Sequence, residues 1–119
     1  MDIKHIDDQI AVTGQVRPEE VAAVAAAGFR ALIVNRPDGE GGAGQPTFAE
    51  IAAAAERAGL AARYIPVRPG EATPADVAAF DEALATLPKP ILAFCRSGAR
   101  STMLWSMSAA GRTGMRSAR

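Results

Sequence analysis

Three continuous apolar runs, Ile10-Ala11-Val12, Ala31-Leu32-Ile33-Val34 and Ile91-Leu92-Ala93-Phe94, mark the chain at wide intervals. A strand covered on one face alternates apolar and polar residues, whereas a strand covered on both faces does not, so each run predicts a short interior strand. Ala61 to Ile65 reads as a further strand. Between these runs the apolar period lengthens to that of a helix. Pro18 suits a first helical position, Val21, Val24 and Ala25 form a stripe, and Gly28 stops it. Thr47 and Glu50 form a capping box ahead of Phe48, Ile51, Ala55 and Ala58, and Gly59 ends that helix. Thr73 and Pro74 open another, whose face is Val77, Phe80, Leu84 and Leu87, and Pro88-Lys89-Pro90 closes it. Ser101 to Ala110 completes the series, with Met103, Leu104, Trp105 and Met107 expected as core packing. Strand and helix alternate throughout, which predicts an α/β fold with a mostly parallel central sheet of about four strands flanked by helices.

The 119 residues suffice for one core and not for two. We therefore expect one cysteine-loop catalytic domain over residues 1–110. Residues 111–119 are basic and glycine-broken, and read as a frayed tail or a shortened chain. The formal net charge is zero, which argues against nucleic acid as a partner. No apolar run approaches the ~20 residues that cross a bilayer, so no membrane partner is expected and the cytoplasm is the expected location. A single cysteine excludes an internal disulfide. His5 has no companion ligands nearby and reads as a surface residue, so neither metal nor cofactor is expected.

Candidate chemistry concentrates where the last apolar run ends, in Cys95-Arg96-Ser97-Gly98-Ala99-Arg100-Ser101. Successive N–H groups in a strand-to-helix turn, together with the helix N-terminus, make an anion-binding concavity, and the same features lower a thiol pKa. A lone cysteine at a strand end is more often a small core residue. A core thiol, however, has no need of a polar, cationic, glycine-bent sequel. We therefore read Cys95 as a nucleophile, Arg96, Ser97, Gly98 and Ala99 as the anion-binding loop, and Arg100 as a planar clamp for a tetrahedral oxyanion. Ser101 is grouped with the catalytic residues.

Two further loops follow carboxyl ends of predicted strands, the edge on which open α/β sheets bind ligands. In Asn35 to Pro46, the glycines are explained by conformation alone, while Arg36, Asp38 and Glu40 are candidates for a wall of the site. In residues 67–73, Glu71 is the only acid. Asp76 is better explained as a charge at a helix start.

From Phe94 to Ser101 the chain resembles two groups of cysteine enzymes. Protein tyrosine and dual-specificity phosphatases carry five residues between cysteine and arginine; the single-domain rhodaneses resemble this chain more in loop length, since only four separate Cys95 from Arg100. Taken whole, from Ile10 through Asn35-Arg36-Pro37-Asp38-Gly39-Glu40 to the Trp105 helix, the chain most resembles the phosphatase-like domain of the bacterial β-lactamase hydrolase-like proteins. That resemblance implies a dual-specificity-phosphatase-like fold and either sulfur transfer or hydrolysis. Phosphatases of this kind place an aspartate as general acid on a neighbouring loop, and Glu71 stands in that place here. The short loop and the absent aspartate put sulfur transfer first, through a Cys95 persulfide taken from a small sulfur donor and passed to a thiol acceptor. Phosphomonoester hydrolysis through a Cys95 thiophosphoryl intermediate comes second, and a non-catalytic module that binds an anion or a protein comes third.

Overall fold

The structure, a computed structural model, describes residues 1–109 and 111. Apart from Gly111, the basic segment 111–119 lies outside the described residues. Five strands form one sheet: β1 (Lys4–His5), β2 (Ile10–Thr13), β3 (Ala31–Val34), β4 (Ala61–Tyr64) and β5 (Ile91–Phe94), in the order β1-β2-β5-β3-β4. All neighbours run parallel except β1, which is antiparallel to β2. The expected four strands are present, and β1 is an addition. It is two exposed residues long, too short and too polar for any hydrophobic period to announce it.

Among the described residues the α-helices are α1 (Val21–Ala26), α2 (Phe48–Ala58), α3 (Pro74–Thr86) and α4 (Ala99–Met107). Pro18 opens a short 3₁₀ turn, Pro18–Glu20, that leads into α1. Two cores lie on opposite faces of the sheet. Leu92 and Phe94 of β5 pack with Val21, Val24, Ile51 and Ala54 on the α1 and α2 side. Ile91 and Ala93 pack with Phe80, Ala83, Leu87 and Leu104 on the α3 and α4 side. Alternate residues of one strand thus enter different cores, which is why the runs contain no polar positions. Among the four residues expected as core packing on α4, Leu104 is fully buried and Met103 and Trp105 are partly covered. Met107, by contrast, is 41% exposed in the last turn.

The helix starts follow from local chemistry. Thr47 accepts from the Glu50 N–H while Glu50 accepts from the Thr47 N–H, and Thr73 and Asp76 repeat the arrangement at α3. The start of α4 differs from the expected Ser101. Gly98 occupies the left-handed region at φ +95° and acts as N-cap, so Ala99 and Arg100 already belong to the first turn. The glycine reverses the chain within one residue, which shortens the loop outside the helix and aims the first N–H groups back toward β5. Among the described residues no helix is long and apolar enough to cross a membrane.

Where the parallel strands end, Asn35 joins three layers. Its N–H donates to Phe94 O at 2.8 Å, its carbonyl accepts from Val67 N at 2.9 Å, and its side-chain amide donates to Ile65 O at 2.8 Å. Its Oδ1 accepts from Ser101 Oγ at 2.8 Å, and the residue is fully buried. Asn35→Ala leaves the Ile65 carbonyl and the Ser101 hydroxyl unpaired out of reach of water, each worth about 1–3 kcal/mol. Urea unfolding should show a loss of about 2 kcal/mol or more. A double-mutant cycle with Ser101→Ala should recover part of that loss.

Candidate active site

Cys95 follows β5 directly, and its thiol is buried at 1% exposure. The Gly98 N–H donates to Sγ at 3.1 Å. Burial alone pushes the thiol pKa up, but the backbone N–H groups of Ser101, Ser97, Arg100 and Gly98 outweigh it and leave the pKa below its ordinary value. The cradle expected from the sequence is therefore made of main chain. The loop is held in place by its neighbour after β2: Gln15 N donates to Arg96 O at 3.2 Å. A side chain at Gly14 would stand 2.9 Å from that carbonyl, and one at Gly98 would stand 3.3 Å from Thr13 O. Both glycines are what let the two loops lie against each other.

Arg100 is 8% exposed and comes back across the site. Nη1 and Nη2 donate to Oε1 and Oε2 of Glu40 at 2.7 and 2.8 Å, and Nη1 also donates to Val67 O at 2.9 Å. Glu40 is gripped a second time by Arg36 Nε at 2.8 Å, and Arg36 Nη1 donates to Gln15 Oε1 at 3.1 Å. The Arg100 guanidinium, followed by Arg36, lowers the Glu40 carboxyl to about 2 against the opposition of partial burial. The Arg100 pKa is raised in turn, first by its bonds to Glu40 and then by the charge and sulfur of Cys95.

The other candidates fall in distinct places. Ser101 turns its hydroxyl away to Asn35, so its side chain serves the fold and its N–H serves the thiolate. Arg96 is exposed and contributes its carbonyl to Gln15. Ser97 Oγ accepts weakly from Ala99 N at 3.4 Å. Asp38 is bound into the scaffold: its Oδ1 accepts from Phe48 N at 2.8 Å, and its N–H donates to the Tyr64 hydroxyl at 3.0 Å. Glu71 is exposed and lines a cavity of about 380 Å³ with Pro37, Asp38, Glu40 and Arg68. Asn35, Gln15 and the Val67 carbonyl were not among the expected site residues. Asn35 was marked only by being polar directly after an apolar run; a main-chain carbonyl leaves no mark at all. Among the described residues no three His, Cys, Asp or Glu side chains gather as a metal site would require.

A mostly parallel sheet with a cysteine loop at its carboxyl edge, running into a helix that carries a buried arginine, defines a dual-specificity-phosphatase-like fold, and known structures agree. A crystal structure of a putative phosphatase from Neisseria meningitidis superposes with TM-score 0.81 at 32% identity, covering 89% of this chain and 75% of that one. A putative phosphatase from Shewanella putrefaciens superposes with TM-score 0.74 at 21% identity, covering 86% of this chain and 63% of that one, a likeness of fold. The sequence model of the "Beta-lactamase hydrolase-like protein, phosphatase-like domain" matches residues 2–112, and the chain belongs to that family. The β-lactamase hydrolase-like protein of Xylella fastidiosa strain Temecula1 is 41% identical over 108 residues, which make up 91% of this chain and 25% of that protein. The chain thus spans about a quarter of that relative's length.

Two measurements check the site. The rate of Cys95 alkylation against pH should show a midpoint below the ~8.5 of a free thiol. Gly98→Ala should move that midpoint up, because a Cβ at φ +95° is strained and displaces the N–H that faces the sulfur. Arg100→Lys replaces a fork by a point charge and should lose most sulfate or phosphate affinity in calorimetry while retaining the far-ultraviolet circular dichroism of the parent.

Proposed function

We propose that the domain is a cysteine-dependent, phosphatase-like hydrolase of phosphomonoesters. The observation that carries this reading is a buried Cys95 thiol that accepts the Gly98 N–H at 3.1 Å in the turn leading into the helix that carries Arg100, with the thiol pKa held below its ordinary value by the loop N–H groups. Cys95 attacks phosphorus as the thiolate, the P–O bond to the leaving group breaks, and a thiophosphoryl intermediate forms. Arg100 and the loop N–H groups hold the equatorial oxygens as charge develops on them. Water then attacks the intermediate, releases inorganic phosphate and restores the thiolate. The leaving oxygen needs a proton. Glu40 cannot supply it, because its carboxyl is held ionised with a pKa of about 2. Of the other two acids at the cavity that Glu40 lines, Asp38 is engaged by the Phe48 N–H, and we assign the role to Glu71.

Family membership and the likeness to phosphatase structures support hydrolysis ahead of sulfur transfer, the reverse of the order drawn from loop length. Sulfur transfer stays as the second reading on one observation, the four-residue spacing from Cys95 to Arg100. In that reaction the thiolate attacks the outer sulfur of thiosulfate, the S–S bond breaks and sulfite leaves with the electron pair. A thiolate acceptor then removes the persulfide sulfur.

Glu71→Gln separates the two. Phenyl phosphate, whose leaving group needs a proton, should lose about 10²–10⁴-fold in turnover, together with the basic limb of its pH profile. Cyanide-trapped thiosulfate turnover gains nothing from a general acid and should be unchanged. Intact mass identifies the adduct on Cys95. A parent protein that gains one sulfur from thiosulfate, turns it over and ignores phosphate esters would put sulfur transfer in first place.

A further inference from the structure

We infer that Glu40 is a positioning residue for Arg100, and that the 35–46 loop exists in its present form to deliver that carboxylate. The inference rests on Arg100 being the anion clamp of the proposed function and adds what makes it one.

A guanidinium has five N–H donors on two edges. Glu40 takes one donor from each terminal nitrogen, and the Val67 carbonyl takes the second donor of Nη1. That leaves Nε–H and the second Nη2–H, which lie side by side on one edge of the plane. Two such donors match two oxygens of a tetrahedral anion. With Glu40 and Val67 holding the other donors, the free edge is left with a single orientation. An arginine side chain otherwise carries about 2 kcal/mol of rotamer entropy, which an oxyanion would have to overcome on binding.

The loop is built so that the carboxylate arrives without freedom of its own. Its first residue, Asn35, is locked by main-chain bonds to Phe94 and Val67. Asp38 is pinned to the α2 N-terminus and to Tyr64. Gln45 closes the far side, donating to Pro37 O at 2.9 Å and accepting from Gly41 N at 2.6 Å. Glu40 N donates to Pro37 O at 3.3 Å, completing the turn that presents its side chain. Arg36 then holds Oε2 from behind. A side chain at Gly41 would stand 2.6 Å from Arg36 Nη2, so the glycine is what leaves room for this second grip.

A rival account of the same contacts gives opposite signs. If Glu40 were a competing anion that occupies the clamp, removing it would free Arg100, strengthen phosphate binding and favour the Cys95 thiolate. If Glu40 positions Arg100, removing it lets the guanidinium leave the site. Phosphate binding then weakens and the Cys95 midpoint rises.

The experiment compares parent, Glu40→Gln, Glu40→Asp and Glu40→Ala by phosphate calorimetry and by the pH dependence of Cys95 alkylation. Glu40→Gln preserves volume and guards against a folding failure of the alanine variant. Phosphate affinity should fall about 10–100-fold in Glu40→Ala and less in Glu40→Gln, by analogy with the loss of an outer partner that orients a metal ligand. The alkylation midpoint should rise in both, and Glu40→Asp, which keeps the charge, should recover part of each effect. Affinity that is unchanged or improved, or a midpoint that is unchanged or lower, overturns the inference. Neither readout needs turnover of a phosphoester. Arg100→Lys in the parent background is the separate check: if it binds phosphate as the parent does, the clamp reading has failed, and not the positioning of it.

Discussion

A thiolate that is 1% exposed can exist only if nearby donors replace the water it has lost, and much of the domain follows from that requirement. The donors are backbone N–H groups of Ser97, Gly98, Arg100 and Ser101. The Gly98 N–H reaches the sulfur at 3.1 Å through a chain reversal at Gly98 and a helix that begins at once after it. The loop after β2 must then lie against the reversal, which Gly14 and Gly98 together permit. Strand order, two glycines and a helix start therefore express one electrostatic demand.

The same edge of the sheet contains a polar junction that is fully paired. Asn35 ties the ends of β3, β4 and β5 to α4, and among the described residues no buried side-chain nitrogen or oxygen lacks a partner. In a low-dielectric interior such a network admits few alternative arrangements, because a half-paired version leaves buried polar groups exposed to nothing. The rigid junction below and the strapped loop above leave Arg100 between two fixed frames.

How much of this the sequence disclosed depends on how far apart the partners lie along the chain. The interior strands were legible because each residue reports its own burial. The caps at Thr47 and Thr73 were legible because their partners sit three residues away. The cysteine loop was legible for the same reason. The Glu40 and Arg100 pair spans 60 positions, and nothing local to either residue announces the other; Glu40 stood out only as a member of a loop at the ligand edge. Val67 contributes a carbonyl, which any residue possesses. Ser101 was grouped with the catalytic residues, whereas its hydroxyl is bound to Asn35. Loop length suggested sulfur transfer, but a count of residues does not report the donor geometry, and the family and fold point toward phosphatases.

The place of β5 in the sheet has a consequence for how the molecule comes into being. It is the fifth strand along the chain, yet it lies between β2 and β3, which have no hydrogen bonds to each other without it. As a nascent polypeptide emerges amino end first, the earlier strands can gather but the sheet stays divided, because its central member has not yet arrived. The residues that close this division, Ile91 to Phe94, immediately precede the cysteine. Closing the sheet and setting the Cys95 thiol at its edge are thus one event.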